Sequence, residues 1–335
     1  MAEVLLIDQT AVQRFLTMPA CIEAMDGVFR RIAAQRVLMP LRTVIPLPEG
    51  RGAFAAMPAV LQDPDGIGIK VITVYPSNHG TQYDSHQGAV LLFEASHGSL
   101  IAMMDASSIT AIRTAAASAV ATRLLARQNA RTLAILGSGV QAVTHLEAML
   151  AVRRIESVKL WSRNREHATT FAEREGKRHG VRIDVTRTAT EAVRGSDIVC
   201  TVTSARAPVL AGESLEPGMH INAVGASTRT TRELDGPAVV RCRIYADRQE
   251  SLVNEAGDFL IAQLEGFVTE ANVVGEIGEV VTGRVPGRLD DSEITLFKSL
   301  GLAAEDVASA QLIYDEAKDD PSIPRFSLGG MRPEH

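Results

Sequence analysis

Gly137, Gly139 and Ala142 stand at the spacing G-x-G-x-x-A, and that spacing serves the binding of a dinucleotide pyrophosphate. The first glycine permits a tight turn and the second lets backbone approach the phosphates. The small third residue allows a helix to pack close against a strand. Such a hexapeptide is weak alone, but here it follows the strand-like TLAIL and opens the helix-like VQAVTHLEAML. Ser138, Val140 and Gln141 complete the turn, where free N–H groups and the helix dipole favour an anion. The next strand-like segment ends in Ser162-Arg163-Asn164, with no acid to receive a ribose 2′-hydroxyl. Arginine instead offers a 2′-phosphate a planar fork of donors. NADP(H) is therefore expected over NAD(H), with NAD(H) possible; a plain solvated Arg163 is the alternative. Thr203, Val224 and Gly225 complete the expected cofactor set.

Three cations form a second group. Lys70 interrupts the apolar run IGIKVITVY, Arg42 follows MPL at a strand entry, and Arg113 lies in an Ala-rich helix. A cation in such surroundings is usually paired or turned to a ligand, since lone burial is costly. Together they suit a small carboxylate; structural salt bridges are the alternative. His79, His86 and His97 are spread over separate loops without matching carboxylates, so no metal site is expected. Cys21, Cys200 and Cys242 lack metal spacing and read as small buried hydrophobes.

The elements that must position these groups change character along the chain. Residues 18–36 have helical spacing, and strand-like segments follow at 43–48, 52–61, 66–76, 88–95 and 99–106, joined without long helices into one sheet. Residues 107–127 read as a helix capped by serine. Beyond them strands at 132–137, 157–162, 182–187, 197–203, 220–225 and 243–247 alternate with helices at 140–152, 164–179 and 189–194, which implies βαβ units and a parallel sheet. Residues 293–319 read as one or two helices, and the tail 321–335 as partly loose. The fold class is α/β, a Rossmann domain with a mixed α+β partner.

A net charge of −6 argues against a nucleic-acid partner. No signal peptide and no run of about 18 apolar residues is evident. An odd cysteine count without a framework suits a reducing compartment, so a cytoplasmic setting is expected.

MPLR (39–42), IKVITVYP (69–76), residues 91–126, ILGSGVQA (135–142), RELD (232–235) and ITLFKSLGLAAED (294–306) resemble the ornithine cyclodeaminase/μ-crystallin family. The resemblance implies a homodimer with a Rossmann domain (121–307) and a substrate and dimerisation domain (1–120 with 308–335). It also implies that Arg42, Lys70 and Arg113 hold the substrate's carboxylate and orient its nitrogen. Cyclodeaminases resemble a G-D-x-P-G-K pattern where this chain reads VGASTRT, so Ser227 stands at the position of their Asp. An acid they carry before the second strand's Met-Pro is also missing, with Ala55 in its place. The departures, with Ser85-His86-Gln87, are similar to ketimine reductases and Δ1-pyrroline-2-carboxylate reductases. NAD(P)H-dependent reduction of a small cyclic imino acid is the expectation, with Lys70 or His86 supplying the proton and Ser227 orienting water or the imine nitrogen. Cyclodeaminase activity, reductive amination of an oxoacid and an NADP-linked ligand-binding role remain alternatives.

Overall fold

The computed structural model describes residues 2–78 and 80–329. Met1, His79 and residues 330–335 lie outside that description. The chain forms two compact units, Met1–Arg113 with Leu302–His335, and Thr114–Gly301. The units change over at 113/114 and 301/302, seven and six residues before the expected divisions at 120/121 and 307/308. The helices explain this: Ala106–Leu125 contributes its first turns to one unit and the rest to the other, while Ala303–Ala317 belongs wholly to the first.

The first unit is built on an eight-stranded sheet. Its order is Arg325–Gly329, Ala2–Ile7, Leu100–Asp105, His86–Phe93, Gly66–Val74, Ala53–Leu61 and Val37–Leu38, with Thr43–Pro46 also paired to Ala53–Leu61. The expected hairpin sheet is there, enlarged by the first and last strands. Part of the tail is therefore ordered: Arg325–Gly329 pairs antiparallel with Ala2–Ile7. Gly66–Val74 alternates buried and half-buried residues, which places Gly66, Gly68, Lys70 and Ile72 on its buried side. The helix Met18–Ala33 buries Cys21, Ile22, Met25, Val28 and Phe29 at helical spacing.

The long helix starts at Ala106, and its cap differs from expectation: Asp105 Oδ1, not a serine, accepts from Ser108 N at 2.7 Å. Ser107 instead donates to the His86 carbonyl. Ala115, Ala116, Ala117, Ala119, Val120 and Ala121 are fully buried, so the Ala-rich sequence suits a helix enclosed on all sides.

The second unit carries an eight-stranded sheet of parallel pairs. Its order is Ile183–Val185, Ser157–Trp161, Thr132–Leu136, Ile198–Thr201, His220–Ala223, Thr295–Lys298, Arg243–Ala246 and Val273–Glu276. From Thr132–Leu136 the chain runs outward through two strands, then returns to Ile198–Thr201 on the other side. That is the switch point of a doubly wound Rossmann sheet. One expectation fails here. Residues 295–298 form a fully buried strand between two others, not part of a helix. A four-residue apolar run leading into a helical pattern has no periodicity of its own to announce a strand.

Among the described residues, no helix is long and apolar enough to cross a membrane, and no group of three His, Cys, Asp or Glu could hold a metal ion. All three cysteines are buried.

Candidate functional site

The dinucleotide turn sits where the strand Thr132–Leu136 ends. Gly137 has φ +124°, and a Cβ there would lie 2.7 Å from the Val202 carbonyl oxygen, so only glycine fits. Gly139, which caps the helix Val140–Val152, has open space where a Cβ would stand. No side chain caps this helix. Its first residue, Val140, is 59% exposed, and Gln141 Oε1 is buried without a hydrogen-bond partner among the described residues. Ala142 is fully buried against the sheet. An open cradle and an uncapped helix start fit a pyrophosphate.

The neighbouring strand is tied to this turn. Gly137 N donates to the Trp161 carbonyl at 2.8 Å, and Ser138 Oγ donates to Ser162 Oγ at 2.9 Å. Arg163 is exposed beside them. Asn164 has a structural task, since its side chain accepts from His167 N at 3.1 Å and caps the helix Arg165–His179. Val224 is buried, while Thr203 and Gly225 are half-buried at the ends of the two strands across the switch point. Ser227 is half-buried in the irregular segment that follows His220–Ala223.

Lys70 and Arg113, in the first unit, converge on one carboxylate. Lys70 Nζ lies 2.8 Å from Asp306 Oδ2, and Arg113 Nε donates to Asp306 Oδ1 at 2.9 Å. Arg113 NH1 donates to Glu305 Oε2 at 2.9 Å, and Lys70 Nζ donates to Thr110 Oγ1 at 3.3 Å. Both acids belong to the first turn of Ala303–Ala317, where negative charge suits the helix dipole. Lys70 is 1% exposed and Arg113 3%, with Glu305 and Asp306 at 0%. Salt bridging, the alternative reading of these cations, is therefore realised for Lys70 and Arg113. Arg42 is half-buried, and its charge reaches Lys70.

Burial pushes Lys70 down to about 8; Asp306 opposes the fall, while Arg113 and Arg42 add to it. Burial pushes the Asp306 carboxyl upward, yet Arg113 and Lys70 outweigh it and hold it below its ordinary value. A lysine near 8 exchanges a proton readily close to neutral pH.

His86 is not gathered into this cluster. Val90 faces Lys70 across the strands, and His86 faces Val74, four positions further along. At about 3.3 Å per residue that is some 13 Å away. His86 is exposed, with Nδ1 3.0 Å from Ser85 Oγ.

Sequence reasoning missed Asp306 and Glu305, although an acidic pair inside the apolar run LGLAAEDVASA was their signal. It also gave no role to Glu233, Asp258 or Lys298, which are buried and charged in the second unit.

A switch-point sheet with a glycine cradle, joined to a sheet unit holding a buried cation pair, defines a Rossmann-type dinucleotide-binding protein with a second α+β unit. The sequence profile of the Ornithine cyclodeaminase/mu-crystallin family matches residues 2–321, and the chain belongs to that family. It is 42% identical over 280 residues to the ketimine reductase mu-crystallin of Mus musculus, covering 83% of this chain and 85% of that one. It is 35% identical over 314 residues to a Delta(1)-pyrroline-2-carboxylate reductase of Bacillus cereus, covering 93% and 96%. The structure of Thermococcus litoralis Delta(1)-pyrroline-2-carboxylate reductase in complex with NADH and L-proline matches with a TM-score of 0.94 at 37% identity. That match covers 96% of this chain and 99% of that one.

Proposed function

We propose that the protein is an NAD(P)H-dependent imine reductase. It converts a small cyclic imino acid, Δ1-pyrroline-2-carboxylate or Δ1-piperideine-2-carboxylate, to L-proline or L-pipecolate. The observation that carries this reading is the buried Lys70–Asp306–Arg113 cluster in a chain whose other unit holds the dinucleotide cradle. The names of the relatives agree with it.

Held at the Gly137–Ala142 turn, a reduced nicotinamide dinucleotide would supply hydride for the imine carbon, and a proton must reach the nitrogen for the charges to balance. Arg113, Lys70 and Arg42 bind the carboxylate, which orients the ring and converts an encounter into an attack-ready geometry. Lys70, held near 8, is the proton donor favoured by its surroundings, ahead of His86, which lies outside the cluster; Ser227 orients water or the imine nitrogen. Arg163 selects NADPH over NADH through the 2′-phosphate. The working form is a cytoplasmic homodimer.

The test is a substrate panel with NADPH and NADH side by side. Steady oxidation of NADPH by either cyclic imine supports the proposal. Turnover with pyruvate plus ammonia only, or ammonia release from ornithine, would overturn it.

A further inference from the structure

Glu233 is fully buried at the carboxyl ends of the parallel strands Ile198–Thr201 and His220–Ala223. One oxygen, Oε1, accepts from Thr203 N at 2.6 Å and Thr203 Oγ1 at 2.7 Å. The other, Oε2, accepts from Thr201 Oγ1 at 2.8 Å and Gly225 N at 2.7 Å. The fit leaves no slack: a Cβ at Gly225 would stand 2.1 Å from the Thr203 carbonyl oxygen and 2.6 Å from Glu233 Oε1.

Two further charges stand behind it. Asp258 Oδ1 accepts from Glu233 N at 2.7 Å and Leu234 N at 3.0 Å, and Asp258 Oδ2 pairs with Lys298 Nζ at 2.8 Å. Asp258 is 2% exposed and Lys298 1%. Two carboxylates against one ammonium leave an excess negative charge in low-dielectric surroundings. Such a charge is an expensive feature unless something nearby benefits from it.

A dinucleotide lies across the switch point of a doubly wound sheet, one half on each side. Ser162 and Arg163 end the strand on the adenosine side, so the nicotinamide half belongs to the side ended by Thr203 and Gly225. The nicotinamide ring is neutral before it gives up hydride and cationic afterwards. We infer that the Glu233–Asp258–Lys298 cluster biases the bound cofactor toward hydride donation, favouring the cationic oxidised ring over the neutral reduced one. Glu233 is then a positioning residue with two tasks: it fixes the Thr203 and Gly225 loops, and it supplies the excess charge. The inference rests on the dinucleotide reading of this unit and is independent of the substrate's identity.

The experiment measures Kd for the oxidised and reduced forms of whichever dinucleotide binds more tightly, in wild type, Glu233→Gln and Glu233→Asp. Both variants disturb the loops, but only Glu233→Gln loses the charge. The ratio Kd(oxidised)/Kd(reduced) is expected to rise on the order of tenfold in Glu233→Gln, as for the loss of one charge at an effective dielectric near 20. In Glu233→Asp both forms weaken and the ratio stays within about twofold. An unchanged ratio in Glu233→Gln, or the same change in both variants, would overturn the inference.

A second measurement needs no variant. Burial and Asp258 push the Glu233 carboxyl upward, against Lys298 and the Thr203 hydrogen bonds. In the wild type the ratio should therefore rise as pH is lowered and the carboxylate takes up a proton. The cofactor's own phosphates titrate in both forms and cancel, so a flat ratio also overturns the inference. Absence of binding by either form would instead defeat the dinucleotide reading itself.

Discussion

Replacing Asp306 with Asn removes the carboxylate that touches both Lys70 and Arg113, and leaves two buried cations with one counter-charge removed. Breaking a buried pair in this way costs about 3–5 kcal/mol. At about 2–4 °C per kcal/mol for a unit of this size, Tm should fall by roughly 6–20 °C. The pH dependence follows from the sign of the Lys70 shift. Its folded value, about 8, lies below the ordinary 10.5, so burying the ammonium costs stability below about 8. That cost is relieved as pH rises from about 8 toward the ordinary value. Asp306 resists the fall, so in Asp306→Asn the folded value drops further. The variant's deficit is therefore greatest at low pH and shrinks as pH rises to about 8, leaving only the lost Arg113 pairing. Thermal unfolding of both proteins by circular dichroism from pH 6 to 9 reads this directly. A deficit constant across that range, or a variant as stable as the wild type, would refute the reasoning.

Other outcomes test the remaining parts. Arg113→Met should lower kcat/KM for the imine by about 30-fold or more, as for a truncated buried charge contact, with NADPH affinity unchanged by fluorescence titration. Gly139→Ala should fold normally, since its Cβ meets open space, yet bind NADPH at least about tenfold more weakly because the methyl group stands in the cradle. Gly137→Ala should also lose about 1–3 kcal/mol in chemical denaturation, because its φ of +124° and the Val202 carbonyl both oppose a side chain. With Arg163 in the proposed role, Arg163→Ala should lower the ratio of NADPH to NADH efficiency by about tenfold in steady-state kinetics while leaving NADH parameters nearly unchanged.

Much of the fold was legible because local pattern and tertiary role agree. The helix Val140–Val152 starts and stops where its glycine turn and apolar spacing place it, and the strands of the first sheet lie between the breakers that bound them. The strand Thr295–Lys298 was hidden because a strand buried on both faces carries no alternation, and a helix follows within five residues. The first-unit cations were visible as charges in apolar runs, but their partners Glu305 and Asp306 come nearly 200 residues after Arg113. No local rule joins residues so far apart. His86 shows the converse. Its place in a distinctive tripeptide suggested the proton donor, whereas the register sets it four positions along the strand from the residue facing Lys70.

The pairing of Ala2–Ile7 with Arg325–Gly329, and of Arg113 with Glu305 and Asp306, has a consequence for the order of events during synthesis. The first unit is made of two separate stretches, with the whole of the second unit between them. At about 5–20 residues per second, the ribosome needs on the order of 10–40 s to pass from Arg113 to Asp306. Throughout that interval Lys70 and Arg113 lack the carboxylates that make their burial tolerable, and the strand Ala2–Ile7 lacks one neighbour. The intervening unit, continuous in sequence, can close as soon as Thr295–Lys298 enters its sheet. The nascent protein is thus expected to complete the unit with the glycine cradle first, and the unit with the Lys70–Arg113 cluster only once Arg325–Gly329 has left the exit tunnel.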